Sequence, residues 1–223
     1  MDEAGFITAM KKNKKSERAI QAHLAEMRAF ETHLAQDGKT LETATPADLR
    51  SYASRGKVDI FGIWCYYEYT DNVPMWATAS DLWSAPNYQK FKLKEFMDVD
   101  QQAVEVLKQH GILTAPQMVE AGKTPTARAD LAQKTGLSPE ILLELVKLSD
   151  QARIGGHKRV RARLFHYAGL DTIDKIAALE SKEVRKILIE YIERTGFPGI
   201  PSTPKEAAHS VMLARYLPRL VEY

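Results

Sequence analysis

Apolar positions recur at three- and four-residue intervals along almost the whole chain, the spacing that lines one face of an α-helix. Ile20, Leu24, Met27, Phe30 and Leu34 make one such stripe. They predict a helix from about Ser16 to Gln36, with Gly38 where a terminating glycine belongs. Thr45-Pro46-Ala47-Asp48 supplies a cap, a proline for the first turn and an acid three residues past the cap, so a short helix starts there. Val58, Phe61, Trp64 and Tyr67 predict a third helix that ends near Asp71-Asn72, and Pro74 opens a fourth that runs to Trp83. Farther along, a helix over Gln101 to His110 closes on Gly111. Thr124-Pro125 and Ser138-Pro139-Glu140 are both capped starts, the second for a helix reaching about Asp150. Helices over His157 to Ala168 and Ser181 to Thr195 close on Gly169 and Gly196, and Thr203-Pro204 opens one that stops near Pro218. No stretch alternates with period two for long enough to be a strand. The expected fold class is all-α, built of many short helices.

Two stretches echo each other: Gln109-His-Gly-Ile-Leu-Thr-Ala-Pro-Gln-Met and Tyr167-Ala-Gly-Leu-Asp-Thr-Ile-Asp-Lys-Ile. Each is a helix end, a glycine, an aliphatic residue, a threonine and a new short helix, which suggests two tandem units. Between Ser84 and Lys94 there is a proline, no clear period and three lysines, so 85–98 is expected to be a linker with the boundary near 90–97. Residues 1–15, with Lys11-Lys12-Asn13-Lys14-Lys15, read as a basic tail. This leaves 16–84 as one helical domain and 99–223 as another.

Charge sharpens that division. The 223 residues carry 31 Lys and Arg against 29 Asp and Glu, a net +2. Residues 1–100 hold 13 basic against 15 acidic side chains and residues 101–223 hold 18 against 14, so the excess lies in the second half. A single cysteine, Cys65, excludes an intramolecular disulfide framework and multi-cysteine metal sites, and reads as a small core residue. The six histidines lack a zinc-ligand spacing, and no cofactor is implied. The longest apolar run, Val58 to Tyr67, is too short for a membrane span and carries Asp59. With no secretory signal pattern at the N-terminus, the expectation is a cytoplasmic protein with no membrane partner.

The long first helix, the run Lys39-Thr-Leu-Glu-Thr-Ala-Thr-Pro-Ala-Asp-Leu49 and the aromatic run Ile63-Trp-Cys-Tyr-Tyr-Glu-Tyr69 resemble the N-terminal, core-binding domain of tyrosine recombinases. The likeness covers Ser16 to Trp83 and implies a four-helix domain that grips a DNA duplex. Lys39, Arg50, Arg55 and Lys57 are the basic residues nearest its turn. The catalytic half of that family is missing, because none of the six histidines begins a His-x-x-Arg motif, and Tyr223 stands without that constellation. From Leu107 to Tyr223 the chain resembles a bacterial and archaeal domain of unknown function built from helix-hairpin-helix-like units. The stretches that carry this are Gly122 to Ser138, Leu145 to Ile154 and Ala168-Gly-Leu-Asp-Thr172. That resemblance implies sequence-nonspecific DNA binding.

A helix-hairpin-helix holds phosphate with backbone amides at the start of its second helix. The matching turn here is Ile154-Gly155-Gly156-His157-Lys158-Arg159. Gly156 stands at the first conserved glycine of that motif and Lys158 at the second, where a Cβ resists positive φ. From Gln151 to Leu170 there is no acid, while Arg153, Lys158, Arg159, Arg161 and Arg163 cluster there with His157 and His166. Cations at a helix N-terminus oppose the helix dipole, and a bound polyanion would relieve them. The expected partner is double-stranded DNA, gripped by Arg153, Gly155, Gly156, His157, Lys158, Arg159, Arg161 and Arg163, with Lys39, Arg55 and Lys57 from the first domain. The alternative is a protein-interaction module using the same surfaces, in which the basic cluster meets an acidic partner, and the plainer reading of the cluster itself is a solvated face or intramolecular salt bridges. An enzyme is not expected: Lys158 with Asp171 or Asp174 imitates a glycosylase pair, but Asp171-Thr172 reads as a helix start. The oligomeric state is open.

Overall fold

The computed structural model describes residues 1–56 and 58–223. Among them are thirteen α-helices and one short 3₁₀ turn, and the extended pairing is a single isolated bridge, Lys92 with Thr114. The fold class is all-α. The chain forms two compact units, Met1–Trp83 and Ser84–Tyr223.

The first unit holds α1 (Glu3–Lys12), α2 (Glu17–Ala35), α3 (Pro46–Ala53) and α4 (Ile60–Tyr69), together with the first part of α5 (Val73–Gln89). The cap residues do what their chemistry dictates. In α3 the Thr45 hydroxyl accepts from the Asp48 amide, and the Asp48 carboxylate accepts from the Thr45 amide at 2.8 Å. Helix α4 is apolar nearly all round and is therefore central, with Ile60, Ile63, Cys65, Tyr66 and Tyr67 all buried. Phe6, Ile20, Leu24, Met27, Phe30 and Leu49 close around it. Gly62 lets α2 and α4 approach, since a Cβ there would stand 3.0 Å from the His23 Cα. Backbone cannot yield as a side-chain tip can, so Gly62→Ala is expected to cost about 1–3 kcal/mol, read as a lowered urea midpoint by tryptophan fluorescence. An unchanged midpoint would show that the two helices separate freely.

Two expectations fail here. Residues 1–15 are not simply a basic tail: Glu3–Lys12 is a helix, capped by Asp2 and buried through Phe6 and Met10. The charge run masked an apolar pair at i and i+4. Nor is 85–98 a linker. Helix α5 continues past Trp83 and through Pro86 to Gln89, and the next residues feed the core of the second unit through Phe91, Leu93 and Phe96.

The second unit continues with the 3₁₀ turn Leu93–Glu95 and then α6 (Gln101–Gln109), α7 (Ala115–Gly122), α8 (Pro125–Thr135) and α9 (Pro139–Gln151). It ends with α10 (Arg159–Tyr167), α11 (Ile173–Ala177), α12 (Ser181–Thr195) and α13 (Pro204–Tyr216). The sequence echo is structural. After α6, Gly111 (φ 80°) turns the chain and the Ile112 amide donates to the Leu107 carbonyl at 2.9 Å. After α10, Gly169 (φ 84°) does the same and Leu170 donates to Phe165 at 2.9 Å. The repeat extends upstream of both helices. Asp98 (φ 50°) is as far from Gly111 as Gly156 (φ 90°) is from Gly169. Each half is thus a left-handed residue, a helix, a glycine turn and a second short helix. Val99 and His157, Leu107 and Phe165, and Met118 and Ile176 are matching buried positions.

Candidate nucleic-acid interface

The two upstream turns differ at their helix starts. At α6 the Asp100 carboxylate accepts from the Gln102 amide at 2.8 Å and the Ala103 amide at 3.0 Å. The chain thereby seats its own anion where a phosphate would bind. At α10 the cap is Lys158, which supplies no side-chain acceptor. Lys158 itself is extended, with φ −129°, so no positive φ is demanded of it. The left-handed residue beyond Gly156 is Arg159, with φ 46°. The steric penalty for a missing second glycine is real but falls one position later than the motif places it.

The five clustered cations have separate fates. Arg163 is fully buried: its Nε donates to the Met97 carbonyl and its Nη1 to Glu144, both at 2.7 Å, and its guanidinium lies 5.0 Å from the Tyr167 ring centroid. Arg153 is also buried, donating to Asp150 at 2.5 Å and to the Pro218 carbonyl at 2.7 Å. Asp150 accepts in addition from the Tyr223 hydroxyl at 3.0 Å, so this pair fastens the C-terminal segment. Arg161 reaches Glu206 at 3.1 Å and the Ser202 hydroxyl at 3.3 Å. His157 is enclosed, with Nε2 2.8 Å from the Ser210 hydroxyl. Arg153, Arg163 and His157 are interior groups and cannot touch a duplex, contrary to expectation. A sequence stretch without acids is not a volume without acids: Asp150 stands just outside it, one turn from Arg153, and Glu144, Glu206 and Glu95 arrive from farther along the chain.

At the surface remain Lys158, Arg159 and the edge of Arg161. Gly155 is partly covered, whereas Gly156 is exposed. Lys158 lies over the Phe91 ring at 5.4 Å, where burial lowers its ammonium pKa. The Arg159 side chain is 68 % exposed and donates to Glu95 at 2.7 Å. Exposed pairs of this kind contribute little to stability and exchange readily with another anion. In the first unit, Lys39 donates to Asp48 at 2.6 Å and holds that carboxyl down at about 2, together with Thr45. Arg55 rests on the His33 ring nitrogen at 2.6 Å. Lys57 lies outside the described residues.

The sequence reading missed the lysines of the supposed linker. Phe91 and Leu93 turn into the core while Lys90, Lys92 and Lys94 stay exposed, and none of the three is ion-paired among the described residues. Phe91 under Lys158 and Glu95 beside Arg159 bring this segment to the start of α10. Next to it is a depression of about 220 Å³ lined by Lys92, Lys94, Lys108 and Gln101, with Glu105 as its one acid. The signal was present in the alternation Lys-Phe-Lys-Leu-Lys, which marks a half-buried segment rather than a free one.

Residues 98–203 match the family described as Domain of unknown function (DUF4332). The matched segment begins at the left-handed Asp98 and contains both turn-helix repeats, so the likeness coincides with the tandem architecture. No curated protein and no solved structure matches the chain. On the DUF4332 segment, Asp171 accepts from Lys147 at 2.6 Å and Lys175 at 2.5 Å, while the Thr172 hydroxyl caps α11. No group of three or more potential metal ligands occurs among the described residues, and no helix there is long and apolar enough to cross a membrane.

Proposed function

We propose that the second unit binds the phosphate backbone of nucleic acid, without catalysis and with little sequence preference. The observation that carries this reading is the set of exposed lysines, Lys90, Lys92 and Lys94, placed beside Lys158, Arg159 and the uncapped start of α10. Lysine ammoniums suit backbone contact, which positions a duplex without reading its bases. Arg159 exchanges Glu95 for a phosphate at small cost because its own pair is exposed. The recombinase-like reading of the first unit gains no support from the comparisons with known proteins, whose family match lies within the second unit. The cations of the first unit, Lys39 and Arg55, are also engaged within the fold, so the weight rests on the second unit.

Fluorescence anisotropy on a labelled random-sequence duplex tests this. The protein is expected to bind at low salt, with log K falling by about 0.9 per phosphate contact for each decade of salt. Lys92→Glu/Lys94→Glu is expected to abolish binding at moderate salt, while Lys182→Glu, an exposed lysine of α12, leaves it unchanged. Absence of binding by the folded protein at low salt overturns the reading.

A second reading has one observation in its favour. Ile200 is 83 % exposed, and near it Val160 and Tyr167 are each about two-fifths exposed beside Phe197. Such a patch on the outer face of α10 suits a protein partner. A duplex-negative result combined with a concentration-dependent mass that Ile200→Ser removes would favour it.

A further inference from the structure

The first unit contains a cavity that the nucleic-acid reading does not use. Its volume is about 510 Å³, within the range of small-ligand sites. It is lined by Asp2, Leu41, Glu42, Tyr66, Tyr67, Tyr69, Thr70 and Asn72. Two carboxylates and three phenols meet there, and no cationic side chain lines it. The rings form a group: Tyr66 and Tyr67 have centroids 5.4 Å apart, Tyr66 and Tyr69 6.5 Å, and Phe6 backs them 5.6 Å from Tyr66.

The polar atoms of this lining divide into those already spent and those still free to bind. The Tyr67 hydroxyl donates to the Leu41 carbonyl at 3.0 Å. The Tyr69 hydroxyl donates to Asp2 Oδ2 at 2.9 Å, and Asp2 Oδ1 accepts the Gly5 amide at 3.0 Å. Tyr66 is different: it is 3 % exposed, lines the cavity, and its hydroxyl forms no hydrogen bond within the described residues. The ring is buried while the hydroxyl, which is not among the enclosed polar atoms, faces open space, and it is the one phenol of the lining with no partner among the described residues. Glu42 forms no ion pair within the described residues, and the Thr40 hydroxyl, the Glu42 amide and, at longer range, the charge of the N-terminal ammonium hold its carboxyl below the usual range. The Gly5 amide and the Tyr69 hydroxyl do the same for Asp2. Both acids are therefore charged at neutral pH, which favours a cation over an anion in the cavity.

We infer that this cavity binds a protonated alkylamine. The ammonium sits against the Glu42 and Asp2 carboxylates, donates to the Tyr66 hydroxyl, and lays its alkyl chain on the tyrosine rings. Carboxylates and a phenol oxygen are acceptors, and a primary ammonium has three donors to give them. The ring faces add attraction for the cation. A quaternary ammonium matches the rings but has nothing to donate, so it fits less well.

The test is an NMR titration of the ¹⁵N-labelled full chain with n-butylammonium, tetramethylammonium and n-butanol. Butylammonium is expected to shift amides of Glu42 and residues 66–72 saturably. Tetramethylammonium is expected to bind about tenfold more weakly, and butanol to give no saturable shift. Glu42→Gln and Tyr66→Phe, each checked for unchanged helical circular dichroism, are each expected to weaken butylammonium by about tenfold, the factor carried by one charge-assisted contact. Tyr66→Phe removes one oxygen from a residue whose ring stays packed, so it remains informative if Glu42→Gln perturbs the loop. No saturable shift with butylammonium, equal binding of butanol, or equal affinity for tetramethylammonium each overturns the assignment. Since the cavity lies in the first unit and the duplex contacts in the second, loss of one activity leaves the other measurable.

Discussion

Arg163→Ala is expected to destabilise the second unit by about 3–5 kcal/mol, the cost of breaking a buried charge pair from one side. The Arg163 side chain is fully enclosed, and its guanidinium serves the Met97 carbonyl and Glu144 at 2.7 Å each. Truncation leaves that carbonyl without its donor and opens a cavity under the Tyr167 ring. Glu144 is less affected, since its side chain is 38 % exposed and can hydrate. Arg163→Met, which refills the volume, is accordingly expected to recover part of the loss. Urea unfolding followed by circular dichroism at 222 nm measures this. Trp64, Trp76 and Trp83 all lie in the first unit, so tryptophan fluorescence reports that unit separately. A loss under about 1 kcal/mol, the scale of a surface pair, would return Arg163 to the solvent face and to the list of phosphate contacts.

The second large effect is acid sensitivity centred on His157. The Ser210 hydroxyl already donates to the Glu206 carbonyl at 2.9 Å, so it accepts from His157. The imidazole is therefore protonated on Nε2, and its Nδ1 is buried with no donor facing it. Burial, reinforced by Arg161 and His209, pushes its pKa from 6.5 to about 3. His209, half-buried and near Lys205, is pushed to about 4. The folded state thus keeps these rings neutral, whereas the unfolded chain takes up protons once the pH falls below about 6.5. Stability attributable to His157 is present in full above pH 6.5 and is lost on the way down to pH 3. The slope is about 1.4 kcal/mol per pH unit, so the loss reaches about 2 kcal/mol at pH 5.

His157→Val isolates this contribution. Valine is the residue at the matching buried position of the first repeat, Val99, and Ser210 keeps its bond to Glu206 in the variant. The expected result is a flatter dependence of stability on pH between 6.5 and 4.5, by about one proton. Carboxylates held low, such as Asp48 at about 2, act mainly below that window. Equal slopes for the two proteins would mean that His157 titrates freely and is not enclosed.

Local chemistry fixed most of the architecture in advance. Thr45, Thr124, Ser138 and Thr203 cap helices because a short side-chain oxygen satisfies amides that the helix leaves open. Gly111 and Gly169 take positive φ because a Cβ makes that conformation costly, and this alone made the repeat visible. Cys65, Tyr66 and Tyr67 of α4 are core residues, Tyr67 as the apolar spacing implied, whereas Tyr69 at the helix end is exposed.

Long-range pairing was not written in any local pattern. Nothing near Arg163 in sequence announces Glu144 or the Met97 carbonyl, and although Asp150 stands only three residues before Arg153, nothing local announces the Pro218 carbonyl or Tyr223 that join the pair. Charge read along the chain made one basic cluster. Charge read in space divides it into two buried structural arginines, an enclosed histidine and a few surface cations joined by Lys90, Lys92 and Lys94. The tyrosine cavity has the same origin, since Asp2 and Glu42 come to Tyr66 and Tyr69 from distant positions. By itself the sequence determined helices, caps, turns and the tandem repeat, because each depends on interactions within a few residues. The tertiary structure alone decided which cations face solvent and which acids face a cavity, because burial and ion pairing are settled by what the rest of the chain brings alongside.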